Sequence, residues 1–166
     1  MKTLILMRHA KSDWRFDQSD HDRPLNPRGR RAAPEIGRWL HDRGYLPDQI
    51  LCSTAARTRE TLGLLNVAAP TRFAREFYLA EPDTISELLR GAKGDLVLLI
   101  GHNPGIGDLA ADLIHTPPPH SDFTRFPTCA TLVVSFDIDT WADLSTGAGD
   151  VLDFIVPRDL TERGSL

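Results

Sequence analysis

Three short stretches carry the side chains best suited to chemistry. Thr3-Leu4-Ile5-Leu6-Met7 is dominated by apolar residues and stops at Arg8-His9. Ser53-Thr54-Ala55-Ala56-Arg57 follows a second apolar run, and Gly101-His102-Asn103-Pro104 follows a third. Two arginines and two histidines at such points suit one job. Guanidinium groups bind the peripheral oxygens of a phosphoryl group, and an imidazole can accept that group covalently. Taken singly, each residue has a plainer explanation. Arg8-His9 could open a solvated loop, Arg57 could point into water, and His102 could be a core histidine bonded to backbone. Paired histidines also suggest a metal, but flanking arginines repel a cation, so neither metal nor cofactor is expected.

The elements that must position these residues follow from periodicity. Thr3–Met7, Gln49–Cys52 and Leu96–Ile100 read as buried strands, apolar on both faces, and Thr71–Arg75 is a weaker strand. Asn26-Pro27 caps and starts a helix closed by Gly44, with Ala32, Ala33, Ile36, Trp39 and Leu40 on one face. Pro34 falls inside it and should kink or loosen one turn. Ser53-Thr54 should cap a helix to about Leu65. Pro82-Asp83 should start a further helix, another should follow Asn103-Pro104, and two late strands occupy Ala130–Phe136 and Val151–Val156. The alternation predicts an α/β fold with a mainly parallel sheet of about six strands covered on both sides, a three-layer α/β/α sandwich forming one domain over residues 1–166. Ligands of such sheets bind beyond the carboxyl ends of the strands, where all three stretches lie. Arg57 falls in the first turn of its helix, where the dipole disfavours a cation unless an anion joins it.

Composition narrows the function classes. The chain has 166 residues, 41% hydrophobic and 25% charged, with net charge −4. A net acidic chain argues against a general nucleic-acid or anionic-membrane binder, although a local basic pocket is compatible with it. The first apolar run is too short for a signal-peptide core, and no run approaches the roughly eighteen residues of a membrane span, so a cytoplasmic protein is expected. Cys52 and Cys129 lack CxxC spacing and sit in apolar stretches, which predicts buried free thiols.

Several stretches, taken in order, resemble the histidine phosphatase, or phosphoglycerate mutase-like, superfamily. Leu6-Met7-Arg8-His9-Ala10-Lys11-Ser12 resembles its opening Arg-His-Gly signature, with alanine in place of glycine as in the small SixA-type phosphohistidine phosphatase branch. Asp22-Arg23-Pro24-Leu25-Asn26-Pro27-Arg28-Gly29, Ser53-Thr54-Ala55-Ala56-Arg57-Thr58-Arg59-Glu60-Thr61, Gly101-His102-Asn103-Pro104-Gly105 and Phe126-Pro127-Thr128 extend the likeness over nearly the whole chain. The resemblance implies His9 as a nucleophile that becomes phosphohistidine. It implies Arg8 and Arg57 as holders of phosphoryl oxygens, His102 as stabiliser of the transferring group, and Arg23 as a further phosphate contact.

Larger relatives protonate an alkoxide leaving group with a carboxylic acid. Glu81 is the candidate donor here, with Asp22 and Glu76 as others, but the plainer reading of all three is as ordinary surface carboxylates. A phosphohistidine substrate relaxes the need, because imidazole leaves more easily than an alkoxide. With no insertion long enough for a lid, an open pocket is expected. The implied partner is a phosphorylated protein carrying phosphohistidine, with a small phosphoester as the alternative. A phosphoglycerate mutase-type transferase and a non-catalytic phospho-ligand sensor are the more distant readings. Trp14 and Phe16 are expected to pack under the adjacent loop rather than rim the pocket, and Pro117-Pro118-Pro119-His120 to act as a stiff connector. The sequence carries no signal for oligomeric state.

Overall fold

The computed structural model describes residues 1–15 and 17–164. Its centre is one six-stranded sheet formed by β1 (Lys2–Arg8), β2 (Gln49–Ser53), β3 (Thr71–Ala74), β4 (Leu96–Gly101), β5 (Thr131–Phe136) and β6 (Asp150–Ile155), in the order β3-β2-β4-β1-β5-β6. The first four are mutually parallel, whereas β5 runs antiparallel to β1 and β6 antiparallel to β5. Five helices join them: α1 (Pro27–Arg43), α2 (Ala56–Leu65), α3 (Pro82–Leu89), α4 (Gly105–Leu113) and α5 (Pro157–Gly164). The expected three-layer arrangement is present.

Alternation along the strands divides the core in two. Leu4, Leu6, Val97 and Leu99 pack with Ile85 and Leu89 of α3 and Ile106 and Leu109 of α4. Ile5, Met7, Leu98 and Ile100 turn the other way, onto Ile36, Leu40 and Leu65 of α1 and α2. The central strands therefore lack a polar face, as a sheet covered on both sides requires.

The ends of α1 follow local chemistry. Asn26 Oδ1 accepts from the Gly29 amide at 2.9 Å, Pro27 takes the first helical position, and Gly44 closes α1 in the left-handed region at φ 73°. Despite Pro34, α1 continues unbroken to Arg43. By contrast, α2, for which Ser53-Thr54 is the expected cap, starts at Ala56 with Ala55 as its cap residue and no side-chain cap. Ser53 instead ends β2, and Thr54 is drawn off to the ring of His21, 2.8 Å away. The α5 helix had no counterpart among the expected elements.

Both cysteines are buried free thiols, and burial pushes each thiol pKa up to about 12. Among the described residues no helix is long and apolar enough to cross a membrane. The Pro117–His120 stretch borders a cavity of about 580 Å³ beside the β6 edge, and His120 Nε2 lies 2.8 Å from Asp159.

Helices α1 and α2, which cover the same face of the sheet, meet through close backbone contact at Gly37. A Cβ there would fall 2.2 Å from the Leu65 carbonyl oxygen, while a Cβ at exposed Gly63 of α2 would meet nothing within 4 Å. Gly37→Ala should cost about 2–3 kcal/mol in urea unfolding. Gly63→Ala should gain about 0.5–1 kcal/mol through helix propensity. Equal effects of the two substitutions would contradict this packing.

Candidate active site

Strand register brings the three chemical stretches to one edge. Ile100 pairs with Met7 on one side and Cys52 on the other, and Arg8 pairs with Gly101. His9, His102 and the β2–α2 turn therefore leave the sheet at the same level. The His9 amide donates to the Gly101 carbonyl at 3.1 Å, and the Cys129 amide donates to the His9 carbonyl at 2.9 Å. The α2 helix secures the next residue: the Ala10 amide donates to Thr61 Oγ1 at 3.0 Å, and that hydroxyl donates to the Arg57 carbonyl at 2.7 Å.

Arg8, His9, Arg23, Arg57 and His102 all line one cavity of about 250 Å³. The two imidazole centroids are 5.3 Å apart. His9 is buried, and its Nδ1 lies 2.7 Å from the Ala10 carbonyl oxygen. A carbonyl only accepts, so Nδ1 carries the proton and Nε2 keeps its lone pair. Burial pushes the His9 pKa well below its ordinary value, opposed by the Ala10 bond and reinforced by His102, Arg57 and Arg8. His102, also buried, is pushed down to about 3 by burial first and by Arg57 second. Its Nε2 is 2.8 Å from Ser53 Oγ, while its Nδ1 is buried without an internal partner.

The arginines are held by a residue that the sequence did not single out. Arg57 is 2% exposed; it donates to the Asp20 carbonyl at 2.6 Å and to Asp20 Oδ2 at 3.0 Å. Arg23 donates to Asp20 Oδ1 at 3.1 Å and to the Ser12 hydroxyl, and Tyr78 also donates to Asp20. Partial burial opposes the Asp20 charge, but the bonds from Tyr78, Arg57 and Arg23 outweigh it and hold the carboxyl well below the usual range. Arg8 donates to the Phe126 carbonyl at 3.3 Å. Leu79 borders the cavity at φ 51°, and Phe126 and Cys129 beside it have φ 47° and 62°. Non-glycine residues in that region cost on the order of 1–3 kcal/mol each and cluster where structure serves a site.

Other expected residues lie elsewhere. Glu81 is exposed at the head of α3, Glu76 pairs loosely with Arg72 at 3.9 Å, and Asp22 accepts from the Ser19 hydroxyl at 2.9 Å. None of the three lines the cavity. Trp14, expected under a loop, is 72% exposed and borders the cavity, with the Arg23 guanidinium 3.4 Å from its ring centroid. The stacking explains its place, since a cation over an indole face is favourable without burial. Phe16 lies outside the described residues. Among the described residues no group of three or more His, Cys, Asp or Glu is placed to hold a metal ion.

Two depressed histidines make the fold acid-sensitive. Below the unfolded value near 6.5 the unfolded chain binds protons that the folded His9 and His102 refuse. Stability should be complete at neutral pH and fall on acidification through that value, by up to about 1.4 kcal/mol per pH unit for each histidine. Urea midpoints should drop between pH 7 and 5, less so in His102→Gln. A flat profile over that range would contradict neutral, buried imidazoles.

Comparison with known proteins agrees with this geometry. Residues 4–84 match the family model of the histidine phosphatase superfamily (branch 1). The uncharacterised protein Rv1276c of Mycobacterium tuberculosis is 38% identical over 161 residues, spanning 92% of this chain and all of that one. A structure from Nakamurella multipartitia, named for a candidate phosphohistidine phosphatase SixA, is 35% identical with a TM-score of 0.81, covering 94% of this chain and 96% of that one. A counterpart from Agrobacterium tumefaciens, named likewise, is 29% identical with a TM-score of 0.77, covering 94% and 98%. Whole-length likeness at these identities, over a sheet edge that gathers Arg8, His9, Arg57 and His102, places the chain in the histidine phosphatase superfamily.

Proposed function

We propose that the protein is a phosphatase that forms a covalent phosphohistidine on His9 and acts chiefly on phosphohistidine in a partner protein. The observation that carries the catalytic part is the His9 tautomer. With Nδ1 occupied by the Ala10 carbonyl, Nε2 is the ring nitrogen left for attack, and His9 lines the cavity. Arg8, Arg57 and Arg23 supply donors for the three peripheral oxygens, enough to match the −1.5 to −2 charge of a phosphate group at about neutral pH. His102 Nδ1 lacks an internal partner, so a proton held there has a phosphoryl oxygen to bond.

The reaction has two displacements. Nε2 of His9 attacks phosphorus as the bond to the leaving group breaks; water then attacks the same phosphorus, breaks the His9 N–P bond and releases inorganic phosphate. The leaving imidazole takes its proton from solvent. Substrate class follows from the carboxyl groups. Among the described residues Asp20 is the one carboxylate lining the cavity, and its bonds to Tyr78, Arg57 and Arg23 keep it ionised. An ionised carboxylate cannot protonate an alkoxide, whereas an imidazole leaving group needs less help. The likeness to structures named for SixA supports the same choice.

The test compares a phosphohistidine-bearing protein with a phosphoserine peptide. Phosphoserine turnover should trail in kcat/KM by about 10²–10⁴, the usual worth of a missing general acid. Arg57→Ala should lower kcat/KM by about 10²–10³. His9→Ala should trap no acid-labile phosphate on the protein. Faster turnover of the phosphoserine peptide would overturn the substrate class, and unchanged turnover in His9→Ala would overturn the mechanism.

A further inference from the structure

A second cavity, about 450 Å³, adjoins the first, and Arg8 and Lys11 line both. Its other charged walls are Arg28, Arg125, Arg158 and Asp122. Five cations thus face one carboxylate in a single hollow, on a chain whose net charge is −4. A solvated basic surface would intersperse acids; this hollow concentrates one sign.

Two details show how the charge is kept there. Asp122 is only 7% exposed and places one oxygen 2.9 Å from Arg158 and the other 3.8 Å from Arg125. It fixes both arginines at the rim while neutralising one charge of the five. Arg28 sits in the first turn of α1, which contains no acidic residue, and no carboxylate lies within ion-pair distance of it among the described residues. A cation there opposes the helix dipole, a cost that an anion beside it removes.

We infer that this groove binds a second phosphoryl group, so that among small-molecule ligands the doubly phosphorylated ones bind best, one group in the His9 cavity and the other between Arg28 and Arg125. The inference rests on reading the His9 cavity as a phosphoryl site. Together the two hollows fall within the range of about 300–1,000 Å³ usual for small ligands. Forked guanidinium donors suit a dianionic phosphoryl group better than a single carboxylate contact.

Non-hydrolysable probes test it without turnover. Calorimetric titration would compare α,ω-alkanebisphosphonates of two to six methylenes with alkylphosphonates of equal length, on the wild-type protein and on Arg28→Gln/Arg125→Gln. Both substituted residues are exposed. One bisphosphonate length should bind about 30-fold tighter than its alkylphosphonate, as two charge-assisted contacts warrant. The double variant should shrink that ratio below about threefold while leaving alkylphosphonate affinity intact. Equal affinities across the wild-type series, or a preference that survives the double substitution, would overturn the inference. Alkylphosphonate failing to bind while Arg28-dependent bisphosphonate binding persists would support the groove and count against the His9 cavity as a phosphoryl site. Binding of neither would overturn both.

Discussion

Everything the site can do depends on the hydrogen bond between His9 Nδ1 and the Ala10 carbonyl, 2.7 Å long. It determines which ring nitrogen carries the proton and which keeps a lone pair. The surrounding structure enforces that bond. Thr61 of α2 holds the Ala10 amide, and β4 holds the His9 amide through Gly101, so neither end of the short turn is free to swing. Burial then keeps the ring neutral, because an imidazolium would lose its hydration among two arginines. A nucleophile in the wrong tautomer or charge state would be inert at the same distance.

The arginines pose the opposite problem. Arg57 is almost fully buried, and an uncompensated buried cation is costly. Asp20 resolves this by bonding Arg57, Arg23 and Tyr78 at once, which orients two guanidinium forks before any substrate contributes charge. Its short helical turn, Asp20–Asp22, is thus part of the site although it carries no strand or long helix. Leu79, which lines the cavity, and the buried Phe126 and Cys129, whose backbones bond Arg8 and His9, keep left-handed backbone angles.

Much of this arrangement was legible in the sequence because its signals are local. Apolar runs that stop at Arg8-His9 and Gly101-His102 announce buried parallel strands with polar ends. Arg57 at a helix start announces an anion, and the structure does give it one, Asp20. What was not legible depends on contacts distant in sequence. Asp13, Asp17, Asp20 and Asp22 look alike in a polar loop, and only the folded position of Arg57, 37 residues away, singles out Asp20. Likewise Trp14 stays exposed because Arg23 stacks on it, and α2 starts late because Ser53 and Thr54 bond His102 and His21 instead of capping. Glu81, chosen for its place before a helix, lies at the exposed head of α3.

In the proposed reaction His9 attacks through Nε2. The most direct test traps the phosphoenzyme at acid-free quench and determines which nitrogen bears phosphorus, by ³¹P–¹⁵N NMR of ring-labelled protein. Phosphorus is expected on Nε2 of His9, with the Nδ1 proton still bonded to the Ala10 carbonyl. Phosphorus on Nδ1, or on His102, would contradict it.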